Sequence, residues 1–107
     1  MLKNAVNLEL RRWRETIGSE VESVGVFPAE VHGGLAVLLQ QVTIEGREYV
    51  APHVVHVASG IAVAPNRRSV QDARRTMARL LPLADWTRTG ADLAADAALH
   101  ARVREQW

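Results

Sequence analysis

The fold is decided by residues 35–64, LAVLLQQVTI-EG-REYV-AP-HVVHVASGIAVA, and by residues 66–86, NRRSVQDARRTMARLLPLADW, which follow. The first stretch has strand-type periodicity and turn signals at Glu45-Gly46 and Ser59-Gly60, which predicts antiparallel strands. The second stretch has apolar residues at helical spacing after an N-cap signal at Ser69, which predicts an amphipathic helix over 69–81. This change of periodicity along the chain predicts an α+β domain.

The N-terminal segment allows two interpretations. Apolar residues over 2–17 recur at spacings of four and three, which predicts a first helix. Val6, Leu8 and Leu10 also alternate, so the first half of the segment is compatible with a strand. We take the helix as the prediction.

The remaining segments complete the predicted order of elements. Residues 21–27, VESVGVF, predict a short edge strand that ends at Pro28. Residues 90–107 predict an alanine-rich final helix with a thin apolar stripe, which either docks on the domain or reaches a partner. The chain is therefore predicted to be one domain, 1–107, with a three- to four-stranded antiparallel sheet, helices packed on one face and the order α-β-β-β-β-α-α.

Size and composition narrow the class of protein. A chain of 107 residues with 48% hydrophobic content suits one folded domain. The absence of cysteine excludes disulfides and thiolate zinc sites. Because the sequence has neither a membrane-length apolar run nor the order of a signal peptide, we expect a cytoplasmic protein without membrane contact.

Charge is distributed unevenly along a chain whose net charge is only +1. Residues 15–48 hold six acidic side chains and one arginine, whereas residues 67–88 hold six arginines and two aspartates. This separation suits a charged partner or self-association. The candidate partner-binding residues are five arginines around the predicted helix and the terminal tryptophan: Arg67, Arg68, Arg74, Arg75, Arg79 and Trp107. The arginines have an alternative explanation, which is that they form the solvated face of an amphipathic helix, opposite its core stripe. For Trp107, the alternative to partner binding is docking onto the domain itself.

Catalytic and metal chemistry have little support in the sequence. His53 and His56 are three apart on a predicted strand, which sends their side chains to opposite faces. Ser59 lies in a Ser-Gly turn without the G-x-S-x-G context of an exposed nucleophile. We therefore expect no enzyme activity, no metal and no cofactor.

Two resemblances bear on function. The block HVVHVASGIAVAP…ARRTMARLLPLADWT, residues 53–87, resembles a strand–turn–strand–helix unit in small uncharacterised proteins of bacteria, phages and mobile elements, which implies an accessory protein that acts by binding. The order helix, three strands, helix (2–17, 21–27, 35–44, 47–57, 69–81) is similar to the double-stranded-RNA-binding domain. That resemblance implies RNA contact at the basic start of the last helix, where Arg67 and Arg68 lie.

The expected function is that of a small non-catalytic accessory protein that binds protein. We expect it to self-associate as a homodimer. We also expect it to be of the phage or mobile-element type, as an inhibitor or modulator of a host complex. The alternative is a nucleic-acid-binding domain that uses the arginine-rich face of residues 67–79. We favour protein binding because acidic residues on the sheet side would repel a polyanion lying across the domain.

Overall fold

A computed structural model describes residues 2–14, 20–87 and 97–106. These residues form five strands, two α-helices and one short 3₁₀ turn. The elements in chain order are β1 (Val6–Arg14), β2 (Glu20–His32), β3 (Leu35–Ile44), β4 (Arg47–His56), β5 (Ala62–Ala64), α1 (Val70–Leu80), the 3₁₀ turn Leu81–Leu83 and α2 (Ala97–Glu105).

The strands form one antiparallel sheet in the order β1-β2-β3-β4-β5. The sheet curls, so that β1 returns to the chain just before β5. There the N–H of Arg11 donates to the carbonyl of Gly60 at 2.8 Å, and Arg11 forms a parallel bridge with Ile61. The α+β class and the antiparallel sheet are confirmed, while the predicted three to four strands become five.

The predicted helix over 2–17 is wrong over the described part of that segment. Val6–Arg14 is strand β1, which pairs with β2 along its whole length. The alternation of Val6, Leu8 and Leu10 therefore indicated the correct structure, a strand, because β2 is available to pair with this segment. Strand β2 consequently lies inside the sheet rather than at its edge, and the first helix of the double-stranded-RNA-binding order is replaced by a strand.

The first half of β3 is buried on both faces of the sheet. Leu35 and Val37 point toward α1, in the apolar cluster that we call the outer cluster. Ala36 and Leu38 point to the opposite face of the sheet, in the inner cluster. The outer cluster also contains Val54, Ala64, Ala73, Met77, Leu80, Trp86, Leu99 and Val103. The inner cluster also contains Leu10, Ala29 and Val55. An uninterrupted apolar run is the pattern that burial on both faces requires.

Helix α1 begins and ends as its sequence predicts. The side chain of Ser69 accepts a hydrogen bond from the N–H of Asp72 at 3.0 Å, which is an N-cap contact. Pro82 lies in the 3₁₀ turn that follows the helix. Trp86 is buried beyond this turn, where its Nε1 donates to the carbonyl of Leu80 at 2.8 Å and closes the end of the outer cluster.

Helix α2 covers part of the segment predicted as the final helix. Leu99 and Val103 are buried in the outer cluster, so the described part of this helix packs on the domain. No helix among the described residues is long and apolar enough to cross a membrane.

Candidate interaction surface

Strands β3 and β4 extend beyond the rest of the sheet as a two-stranded ribbon. β2 pairs with β3 only between Ala29–His32 and Leu35–Leu38, and β5 pairs with β4 only at Val54 and Val55. From residue 39 to residue 51, β3 and β4 pair with each other and with no further strand in the described chain. We call residues 39–51 the arm.

The turn of the arm fixes which backbone groups point outward. Glu45 and Gly46 have φ values of 52° and 78°, the positive pair of a type I′ two-residue hairpin turn. Such a turn is closed by a hydrogen-bonded pair, here Ile44 with Arg47, and hydrogen-bonded pairs then recur at every second residue. Even-numbered residues of β3 therefore bond to β4, and odd-numbered residues direct their N–H and C=O groups away from it.

Contacts outside the arm agree with this alternation. The N–H of Val57 donates to the carbonyl of Gly34 at 2.9 Å, which continues the β3–β4 ladder by one hydrogen-bonded pair. The carbonyl of Pro52 faces the other way and accepts from the N–H of Arg67 at 2.7 Å. Proline is tolerated in β4 because its missing N–H lies on the outer edge of the strand.

Large apolar side chains are exposed on both faces of the arm. Ile44 is 55% exposed and Tyr49 is 49% exposed, and both lie on the face that continues the inner cluster. Val50 is 56% exposed on the opposite face. Single exposed apolar residues are normal, and the grouping of three on one ribbon makes the arm the candidate interaction surface. This surface was not predicted from the sequence, although the apolar alternation around Glu45-Gly46 was its signal.

The structure separates the five candidate arginines. Arg68, Arg75 and Arg79 are exposed at the start and along the outer side of α1. Arg67 is half-buried, and its Nε donates to the carbonyl of Pro65 at 3.3 Å. The environment of Arg74 is different, because its guanidinium group pairs with a buried carboxylate.

That carboxylate is Glu30 of β2, whose side chain is only 4% exposed. Arg74 Nη2 lies 2.9 Å from its Oε1 and Arg74 Nε lies 3.1 Å from its Oε2, a bidentate pair. The backbone N–H of Lys3 donates to Oε1 at 2.6 Å, and Nε2 of His32 lies 3.0 Å from Oε2. Glu30 thus ties the N-terminal segment and α1 to β2.

These contacts hold the carboxylate in its charged form. The pKa of Glu30 is lowered from 4.5 to about 2, chiefly by the hydrogen bond from Arg74. Burial opposes this shift, and the hydrogen bonds from Lys3 and His32 add to it. The pKa of Arg74 is raised by the same hydrogen bond. A carboxylate with this pKa and these partners stabilises the fold and is unsuited to general acid–base chemistry near neutral pH.

Arg74 was predicted to be one of the partner-binding arginines, although its spacing indicates a position that faces the core. It is four residues after Val70 and three before Met77, so it lies within the apolar stripe of α1. An arginine in a core-facing stripe requires a buried partner. The partner, Glu30, could not be identified from the sequence because it comes from a strand 44 residues earlier.

The two predicted strand histidines lie on opposite faces of β4, as their spacing indicates, and both are buried. Nδ1 of His53 accepts from the N–H of Asn66 at 2.9 Å, and its Nε2 lies 2.8 Å from Oε1 of Gln40. The neutral Nε2–H tautomer satisfies both contacts. Burial lowers the pKa of His53, which favours this neutral form.

His56 and Ser59 form a close pair at the turn after β4. Ser59 Oγ lies 2.8 Å from Nδ1 of His56, and Nε2 of His56 lies 2.9 Å from the carbonyl of Trp86. A serine–histidine contact of this length occurs in hydrolases. Here the imidazole is buried, and the serine oxygen also accepts from the N–H of Ile61 at 3.2 Å. The pair holds the turn and Trp86 in place.

The predicted interface anchor, Trp107, lies outside the described residues, as do the side chain of Trp13 and residues 88–96. Its role at an interface therefore stays a prediction. Metal binding can be assessed only over the described part of the chain. There, no group of three or more histidine, aspartate or glutamate side chains could hold a metal ion.

Comparison with protein families, curated proteins and solved structures finds no match to this chain. The resemblance of residues 53–87 to small phage and mobile-element proteins therefore stays a prediction. The function has to be inferred from the arm and the arginines themselves.

Proposed function

We propose that this chain is a small non-catalytic accessory protein that acts by binding protein, including a second copy of itself, and that the arm is its contact surface. The observation that carries this proposal is the exposure of Ile44, Tyr49 and Val50 on a ribbon that no other described element covers.

The stability of the arm supports the same function. A two-stranded ribbon is marginal in water unless a further strand or helix packs against it. Residues 35–38 have both: β2 beside them and α1 above them. Residues 39–44 have neither within the described chain. A bound protein would supply the missing packing and cover the apolar side chains.

Nucleic-acid binding through residues 67–79 is the second candidate, and the exposure of Arg68, Arg75 and Arg79 favours it. Two of the five guanidinium groups are engaged within the protein: Arg74 with Glu30, and Arg67 with the carbonyl of Pro65. The acidic side chains of Glu45 and Glu48 are exposed on the arm. The positive electrostatic potential that a polyanion would meet is therefore weaker than the number of arginines in the sequence implies.

Light-scattering mass at low and high salt, with and without a short nucleic-acid duplex, tests the proposal. We expect a mass above the 11.8 kDa of one chain that persists at high salt and does not change when the duplex is added. Apolar and backbone contacts are nearly insensitive to salt, whereas phosphate contacts weaken steeply. A monomer that gains mass only with the duplex at low salt would overturn the proposal in favour of the second candidate.

A further inference from the structure

We propose that the outer edge of β3 binds the same edge of a second copy, antiparallel, with the two-fold axis at Gln41. This inference rests on the proposed function and specifies its partner and geometry. The two ribbons would then form one four-stranded sheet in the order β4-β3-β3-β4.

The backbone of β3 has the symmetry that this pairing needs. Between Leu38, where β2 pairing stops, and the turn at Glu45, the residues that direct N–H and C=O groups outward are Leu39, Gln41 and Thr43. A two-fold axis at Gln41 places Gln41 opposite itself and Leu39 opposite Thr43 of the second copy. All three outward positions are satisfied on both chains, which makes about six N–H···O bonds, because each of the three hydrogen-bonded pairs exchanges two.

Side chains distinguish this edge from the other open edges of the sheet. Natural sheets protect exposed edges with charges, proline or bulges. Strand β1 carries Glu9, Arg11 and Arg12 in ion pairs, and the open part of β4 carries Arg47, Glu48 and the edge-facing Pro52. The segment Leu39–Ile44, LQQVTI, has no charge, no proline and no glycine. This stretch of edge therefore lacks the protection that β1 and the open part of β4 carry.

The same residues favour a second copy as the occupant. In the two-fold arrangement no charged side chain faces another within the segment, because Gln40 lies opposite Val42 and Leu39 lies opposite Thr43. The residues that pair between the two copies, 39–43, lie between Leu38, the last residue of β3 that pairs with β2, and the turn at Glu45.

Charge substitution at the axis tests this geometry. Only a residue on the two-fold axis faces itself, so Gln41→Lys alone and Gln41→Glu alone should each raise the dimer Kd by at least about tenfold at low salt. An equimolar mixture of the two variants should recover the wild-type Kd within about threefold, because a lysine then faces a glutamate. Sedimentation equilibrium of wild type, each variant and the mixture measures these values.

Gln71 provides the matched control. It is also a glutamine, and it is exposed on α1, outside the arm. Gln71→Lys and Gln71→Glu introduce the same charges away from the axis, and we expect neither loss alone nor rescue on mixing. Circular dichroism of each variant verifies folding.

Two results would overturn the inference, and they are distinguishable. A wild-type dimer that the Gln41 variants leave unchanged would exclude the β3 edge while protein binding by the chain stands. A wild-type protein that is monomeric at every concentration would exclude both the edge pairing and the self-association in the proposed function.

Discussion

Arg74 and Glu30 form a bidentate ion pair that joins α1 to β2, with Nη2–Oε1 and Nε–Oε2 distances of 2.9 and 3.1 Å. The carboxylate is buried, and Arg74 remains partly exposed at the rim of the helix–sheet contact. The pair therefore joins α1 to β2, whereas the outer cluster packs α1 against β3, β4 and β5. The contribution of this ion pair to stability can be measured by varying the pH and by substituting either residue.

The depressed pKa of Glu30 predicts acid sensitivity. The folded protein keeps this carboxylate ionised down to about pH 2, whereas the unfolded chain protonates it near 4.5. Its contribution is therefore fully present above pH 4.5 and is lost as the pH falls from 4.5 toward 2. Urea unfolding of wild type and Glu30→Gln across this window measures it. The difference between the two proteins should shrink as the pH falls, and a constant difference would contradict the assignment.

Arg74 and Arg75 are neighbours on α1 with different predicted roles. Arg74→Ala leaves Glu30 buried without its principal partner, so we expect the Tm to fall by on the order of 10 °C. Arg75→Ala removes an exposed side chain and should change the free energy of unfolding by no more than about 0.5 kcal/mol. Thermal unfolding of both variants decides this. Equal losses of stability would show that the ion pair has no special effect.

The contacts of His53 predict a second, separate pH dependence. Protonation would place a hydrogen on Nδ1, which faces the N–H of Asn66. Because burial holds the folded pKa below 6.5, the unfolded chain binds the proton first, and stability falls as the pH drops below 6.5. His53→Asn keeps an acceptor for Asn66 and cannot titrate. Chemical unfolding from about pH 7 to about pH 5 should show a weaker dependence in this variant than in wild type. Identical slopes would exclude His53 as the cause.

The local signals in the sequence predicted much of the chain after residue 35. The N-cap signal at Ser69 and the helical spacing after it correctly located α1, and Glu45-Gly46 located the hairpin, because caps and turns depend on a few adjacent residues. The first strand was missed because its periodicity suited a helix equally well, and only pairing with β2 decided between them.

The candidate site was less predictable for the same physical reason. Composition alone does not separate Arg74 from Arg75. Helical spacing places Arg74 in the apolar stripe of α1, but its partner, Glu30, comes from a distant strand and cannot be identified from local sequence. The arm was missed because its exposure depends on where β2 and β5 stop pairing. The apolar alternation of the hairpin is visible in its own sequence, but whether other strands cover the hairpin is not.

Amide exchange along β3 should alternate, and this alternation tests the basis of both proposals. In dilute protein the N–H groups of Gln40 and Val42 bond to β4 and should exchange slowly, whereas those of Leu39, Gln41 and Thr43 point to solvent and should exchange rapidly. Residue-resolved exchange by NMR measures the pattern. When the protein concentration is raised, only the three outward amides should gain protection. Uniformly fast exchange over the segment would show that the arm is not a formed ribbon, and uniformly slow exchange in dilute protein would show that its outer edge is already covered within one chain.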